Sequence, residues 1–265
     1  RPERCSSCGA RVFRTVGFGT ERVERELAGL LPEARIARMD ADSIRRKGRA
    51  SHILKRFMDH ELDILIGTQM VTKGYHFPLV TLVGVIYADM SLLFPDFRAA
   101  EWTYQLLSQV AGRAGRGRQR GRVIIQTFNP VHYSIQAAVR HNYAMFFNEE
   151  KELRSSLKYP PFSHLMCLRF QGNVRQNTMD SAYQIAKRIN RIVNRASFKD
   201  EIQVLGPIEA PIPKIKGKYR YQIIIKSKRP RLQSYILQEI ESVSDKMLKP
   251  KGVSLVWDVD PYYML

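Results

Sequence analysis

Two hydrophobic rhythms alternate along the first half of the chain. "RVFRTVGF" (residues 11–18) reads as a strand, and "GTERVERELAGLL" (19–31) spaces its apolar residues as a helix does, with Thr20 as the expected N-cap. "ARIARMD" (34–40) predicts a strand, "GRASHILKRFMDHE" (48–61) a helix and "LDILIG" (62–67) a short buried strand. The apolar run "VTLVGVIYAD" (80–89) is of the kind found in strands covered on both faces. It is followed by a helix over "RAAEWTYQLLSQVAGR" (98–113) and a strand over "GRVIIQTF" (121–128). Strand and helix alternating in this way predict a parallel sheet with helices on both faces, whose ligands gather at the carboxyl ends of the strands.

From about residue 131 the rhythm changes. "HYSIQAAVRHNYAMFFNEEKELRSSL" (132–157) predicts one long helix ending at "KYPPF", where two prolines forbid its continuation. Beyond it come strand (163–172), helix (177–196), strand (201–207), strand (219–227), helix (231–248) and strand (253–260). This βαββαβ order is the split βαβ arrangement of an α+β domain. The expected division is 1–12 as the end of a metal-binding module, 13–158 as an α/β lobe with trailing helices, and 159–265 as a small α+β domain.

Charge narrows the choice of partner. The 265 residues carry 43 Lys and Arg against 25 Asp and Glu, a formal +18, which makes a polyanion the default ligand. No apolar run approaches the ~18–20 residues a membrane span needs, and no basic amphipathic helix with an aromatic face stands out. Nucleic acid is therefore preferred to a membrane surface. Three cysteines make no disulfide framework and suit a reducing, cytoplasmic setting. Cys5 and Cys8 form a C-x-x-C followed by glycine, half of a zinc knuckle; a redox pair or free thiols are the alternatives. Cys167, within "LMCLRF", reads as a buried core residue. Half a metal site and an opening Arg1 suggest the C-terminal part of a longer protein.

The chemistry concentrates in "QVAGRAGRGRQRGR" (109–122). Gly112 and Gly115 remove side chains where the backbone must turn sharply or approach a ligand. Arg113 and Arg116, three apart, point the same way from one helical turn and repel each other. An anion between them relieves that repulsion, and a polyphosphate gathering charge as it is cleaved is a fitting one. A solvated basic loop is the plainer alternative. It suits Arg118, Arg120 and Arg122 but leaves Gln109 and the two glycines without a purpose.

"QVAGRAGR" resembles motif VI of superfamily-two helicases, Q-x-x-G-R-x-G-R, and "ILIGTQMVTKGYHFPLVTLVGVI" (64–86) resembles the block ending in their motif V. In that comparison Thr68 and Gln69 leave a strand end to meet a nucleic-acid phosphate, while Thr72, Lys73 and Gly74 couple strand contact to the nucleotide site. The order of further segments, from "CSSCG" through "DFRAAEWTYQLLSQVAGRAGRG" and "YPPF" to the closing "VWDVDPYYML", resembles the primosomal replication-restart helicase family over essentially the whole chain.

The resemblance implies a second RecA-like lobe followed by a C-terminal domain, in an ATP-dependent enzyme that unwinds DNA 3′→5′ at abandoned forks and starts primosome assembly. It makes Gln109, Arg113 and Arg116 nucleotide-facing, one arginine being the finger, with Gly74 and Gly112 beside the nucleotide. Cys5 and Cys8 become zinc ligands. ATP with Mg2+ and Zn2+ are the implied cofactors. Forked and single-stranded DNA, single-stranded-DNA-binding protein with its acidic tail, and the other primosome and helicase-loading proteins are the implied partners. Neither a G-x-x-x-x-G-K-[ST] phosphate loop nor a D-E-x-H sequence occurs in these residues, so the chain by itself is expected to be inactive as an ATPase.

The last domain has a charge argument of its own. Between Lys158 and Leu265 there are 19 Lys and Arg and 9 Asp and Glu. "PKIKGKYRYQ" interleaves Lys214, Lys216, Lys218, Tyr219, Arg220 and Tyr221, cations for phosphates and aromatics for bases; tyrosines merely packing on the sheet are the alternative. Arg229 and Gln233, at the start of a helix, are the candidates for the acidic tail that the resemblance implies. Asp258 and Asp260 lie two apart before a proline and read as structural carboxylates rather than a catalytic pair. Trp102 and Tyr104 belong to the apolar side of their helix, and His76 to a loop. Another superfamily-two DNA or RNA translocase, or a basic nucleic-acid-binding protein without activity, are the competing readings.

Overall fold

The computed structural model describes residues 19–40, 43–44, 48–68, 77, 79–112, 121–195, 198 and 200–264. The expected strand at 11–18, the cysteine pair, Gln69, Thr72, Lys73, Gly74, His76, Arg113 and Arg116 lie outside them. The chain divides into two compact units: Arg1–Leu93 with Ala100–Phe146, and Phe94–Ala99 with Phe147–Leu265.

The first unit is built from strand–helix–strand crossovers. It runs α1 (Thr20–Leu30), β1 (Ile36–Met39), α2 (Arg49–Met58), β2 (Ile64–Gly67), β3 (Leu82–Val85), α3 (Ala99–Ala111), β4 (Arg122–Ile125), α4 (Tyr133–Val139) and α5 (Tyr143–Ser156), the unit boundary falling inside α5. β1 pairs with β2 in parallel from Ile36↔Ile64 to Met39↔Gly67, and β3 with β4 from Leu82↔Arg122 to Val85↔Ile125. Among the described residues these are two separate two-stranded sheets. A parallel pair needs a long crossover, and α2 and α3 supply it. Met39, Leu54 and Phe77 form one small core, with Phe57 set edge-on to Phe77 at 5.2 Å. Ala88, Leu107, Ile135 and Ala138 form another, with Tyr104 against it.

Two expectations are corrected here. Gly19, not Thr20, is the N-cap of α1. Thr20 is the first helical residue, and its hydroxyl donates to the Asp40 carboxylate just past β1. That carboxylate also takes the Ser43 amide and the Arg38 guanidinium, and with Thr20 the largest influence its pKa falls to about 2. The single helix expected over 132–157 is two. His141 adopts a φ of 50°, Asn142 turns its amide back to the Ala137 carbonyl, and the Asn142 side chain accepts from Met145 to start α5.

The second unit follows the βαββαβ order: β5 (His164–Gly172), α6 (Arg175–Arg195), β6 (Ile202–Ile215), β7 (Lys218–Ser227), α7 (Pro230–Leu248) and β8 (Val253–Val259). The sheet is antiparallel in the order β6-β7-β5-β8. Met166, Leu168 and Phe170 of β5 and Ile223 and Ile225 of β7 alternate onto one face. There they meet Ile185 and Ile189 of α6 and Ile236 and Ile240 of α7. Each such fully buried side chain contributes about 1.5–3 kcal/mol. β6 is an edge strand, which is how it tolerates Pro207, Pro211 and Pro213; register shifts fall at Leu205/Ile208 and Glu209/Lys214. It runs on well past the expected end at 207.

On the other face Cys167 is fully buried, as its apolar neighbours suggested, and burial pushes its thiol pKa up. Asp258 and Asp260 are structural. Asp258 pairs with Arg169 at 2.8 Å, and Asp260 accepts the Leu165 amide at 3.0 Å while its own amide donates to the Leu165 carbonyl. Phe97 stacks on Tyr159, Arg98 and Arg154 lie over the Phe97 ring, and Lys226 lies over Tyr159 with Nζ donating to the Leu157 carbonyl.

Candidate nucleotide and nucleic-acid interfaces

In the first unit the candidate residues fall at the ends of elements. Thr68 follows β2 directly and is exposed at the carboxyl end of that parallel strand, the edge where ligands of such sheets collect. Gln109 is exposed near the end of α3, while Leu107 and Val110 on either side are buried. Gly112 closes the helix, its amide donating to the Ser108 carbonyl at 3.0 Å. An exposed Gln109 on the last turn, ahead of a glycine, delivers the chain into the segment holding Arg113 and Arg116. Trp102 is half-buried and Tyr104 packs on the small core, consistent with a structural part for both.

Asp89 is a residue the sequence reading passed over. Buried after Tyr87 in a left-handed conformation, its carboxylate accepts the Thr127 hydroxyl and the Phe128 and Asn129 amides. Burial opposes ionisation, but these hydrogen bonds win and keep the pKa below the usual carboxylate range. It thereby fixes the turn after β4. Only the "YAD" at the end of an apolar run hinted at it.

In the second unit the β6–β7 hairpin ends in a two-residue loop. Lys216 (φ 49°) and Gly217 (φ 83°) both take left-handed conformations, the geometry of a tight hairpin turn whose twist matches its strands. Lys214, Lys216 and Lys218 are exposed, and Lys214 Nζ stands 4.5 Å from the centre of the Tyr219 ring. Arg220 does not join them: only 7% exposed, it donates from Nη1 to the Ile212 carbonyl. Tyr221 also faces inward, in the main core, its hydroxyl toward Glu209. The exposed tip thus offers three lysines and one tyrosine.

Arg229 is the N-cap residue of α7, and its guanidinium meets Glu201 at 2.6 Å. Gln233, one turn on, is 1% exposed, and among the described residues neither of its amide atoms has a hydrogen-bond partner. Glu201, the partner of Arg229, also lines a pocket of about 240 Å³, with Lys158, Phe162, Lys226 and Lys228 in its wall. Burial and the nearby Lys158 lower the pKa of Lys226.

Among the described residues no three His, Cys, Asp or Glu side chains gather as a metal centre requires, and no helix is long and apolar enough to cross a membrane. The implied zinc pair and most of the implied nucleotide contacts lie outside the described residues.

Comparison with known proteins defines the class. Residues 14–118 match the helicase conserved C-terminal domain, and residues 155–262 match the primosomal protein N C-terminal domain. A helicase lobe joined to that particular domain is the combination found here. The chain is 42% identical over 264 residues to the replication restart protein PriA of Bacillus subtilis. It is 38% identical to those of Synechocystis and Treponema pallidum, with 98–100% of the chain aligned. Over its whole length the chain is similar to the replication restart proteins PriA. The chain spans about a third of the length of these relatives, 32%, 30% and 39% respectively.

Proposed function

We propose that this chain is the second motor lobe and the C-terminal domain of an ATP-dependent helicase that unwinds DNA 3′→5′ at stalled forks and starts primosome assembly. The observation that carries the reading is the exposed Gln109 on the last turn of α3, followed by the Gly112 turn, inside the stretch that matches a helicase lobe. Arg113 and Arg116 face the nucleotide from that turn, and one of them neutralises charge on the transferred phosphoryl group. Thr68, with Gln69, Thr72 and Lys73, holds the translocating strand by its phosphates. Bound ATP with Mg2+ supplies the phosphoryl transfer, and the residues here that would face it are Gln109, Arg113, Arg116, Gly74 and Gly112. Cys5 and Cys8 supply two thiolates to a zinc ion that other residues complete.

In the C-terminal domain the hairpin tip binds single-stranded DNA. Lys214, Lys216 and Lys218 take phosphates, and Tyr219 supports a base. Arg229 receives the acidic tail of single-stranded-DNA-binding protein, while Gln233, the other expected contact, is buried behind it and does not touch the tail. What supports this is an exposed guanidinium at a helix start, flanked by the exposed Lys228 and Arg231. Titration of a tail peptide should show at least tenfold weaker binding to Arg229→Ala; unchanged affinity removes that residue from the site.

The whole reading is tested by strand displacement. The longer protein containing this chain should open a fork through a 3′ single-stranded arm only when ATP is present. Opening without ATP, or no opening of any fork, refutes it.

A further inference from the structure

Helix α6 carries a row of cations that neither the sequence reading nor the proposed motor uses. Lys187, Arg188, Arg191 and Arg195 recur at helical spacing on one face, together with Gln184. Lys187, Arg191 and Arg195 are exposed, and Arg188 is half-buried. Among the described residues none of the four is in an ion pair. Lys251, from the turn before β8, donates to Gln184 Oε1 at 3.0 Å and adds a fifth cation to the row. Asp180, the one acid on α6, lies a turn upstream and accepts from Gln176.

Like charges four apart on a helix weaken it. Lys187, Arg191 and Arg195 form two such pairs in succession, with no acid interleaved. The neighbouring helix α7 shows the ordinary alternative, with Lys249 just beyond its end paired to Asp245 at 2.6 Å. Water and salt screen such a row in part, and an extended anion lying along it relieves the repulsion more fully.

We propose that the outward face of α6, with Lys251, grips the phosphate backbone of double-stranded DNA, a second contact distinct from the hairpin tip. This rests on the reading of the chain as part of a DNA helicase and names which duplex-facing surface it uses. From Gln184 to Arg195 the helix rises about 16 Å, close to five phosphates along one strand of a duplex. The face has amides beside its cations, Asn190 and Asn194, where a membrane-binding helix would need an apolar row. It has no bank of aromatics to stack unpaired bases, Tyr183 being the one ring nearby. Contacts of this kind are independent of sequence and strongly dependent on salt.

The test is fluorescence anisotropy of the full 265-residue chain with a blunt duplex of about 20 base pairs and with an oligothymidine of about 20 nucleotides, each over a range of salt. The triple variant Lys187→Gln, Arg191→Gln, Arg195→Gln should bind the duplex at least tenfold more weakly. Its salt slope should be shallower by about 2.7, at about 0.9 per phosphate released. Its oligothymidine affinity should stay within about twofold, since single strands are held elsewhere. A milder pair, Lys187→Gln with Lys251→Gln, gives the same direction should the triple variant melt early. Unchanged duplex affinity and slope, or an equal loss for both DNAs, overturns the proposal while leaving the helicase reading intact. Should Lys216→Gln with Lys218→Gln alone abolish duplex binding, the hairpin and not α6 is the duplex site. A chain with no affinity for either DNA overturns both readings together.

Discussion

Phe97 and Tyr159, 62 positions apart in the chain, stack face to face with ring centroids 4.8 Å apart and planes 11° from parallel. Lys226 Nζ sits 3.5 Å from the centroid of Tyr159, and the Arg98 guanidinium 4.1 Å from that of Phe97. The segment 94–99 and the "YPPF" turn are thereby held in one unit. Stacked pairs are worth about 0.5–1.5 kcal/mol beyond the area they bury. A double-mutant cycle with Phe97→Leu and Tyr159→Leu, followed by urea unfolding, should return a coupling in that range. Additive losses would show that the rings merely lie near each other.

Asp40 makes the first unit sensitive to acid. Its carboxyl, bonded to Thr20, Ser43 and Arg38, has a folded pKa of about 2, below its value in an unfolded chain. A depressed carboxylate pKa adds stability above the unfolded value, and that stability is lost as the pH falls through the folded one. Thermal unfolding of the native chain and of Asp40→Asn should therefore differ most near neutrality, with the native chain the more stable. The gap should close between about pH 4 and pH 2. A gap independent of pH would mean that the carboxylate's charge is not what holds β1 to α1.

Gly206 has no room for a side chain. Its φ is 98°, and a Cβ there would lie 2.9 Å from the Gln222 carbonyl oxygen of the neighbouring strand. Gly206→Ala should cost about 1–3 kcal/mol, from backbone strain and from the strand displaced. The position lies within the core sheet of the C-terminal domain, so calorimetry should show a lowered transition. An unaltered one would mean that β6 shifts freely.

The elements of both units were legible wherever one hydrophobic period ran unbroken. α6 is an example: Ile185, Ile189, Ile192 and Val193 repeat at 3.6 residues and all are buried. What escaped depended on local geometry or on distance along the chain. The break at His141 leaves the helical apolar rhythm intact, and nothing in composition marks a left-handed residue there. The strand β6 runs past its expected end at 207 through Pro211 and Pro213, which an edge position accommodates, and its place at the edge is a tertiary fact. Arg220 looked like its exposed lysine neighbours and shares a face of β7 with Lys218, but it lies further from the hairpin tip, where its guanidinium donates to the Ile212 carbonyl and is buried. Of the candidate motor site, Thr68, Gln109 and Gly112 were placed at element ends by motif spacing. The cation row of α6 was present in the sequence but was absorbed into the domain's overall charge, because a net surplus carries no direction until the helix assigns a face.

Under the proposed function, Arg113 or Arg116 faces a nucleoside triphosphate. The decisive measurement is DNA-stimulated ATP hydrolysis in the longer protein, with Arg113→Ala and Arg116→Ala made separately. At least one variant should lose about 10³-fold or more in kcat while fork binding is retained. Near-native turnover by both variants would refute that role.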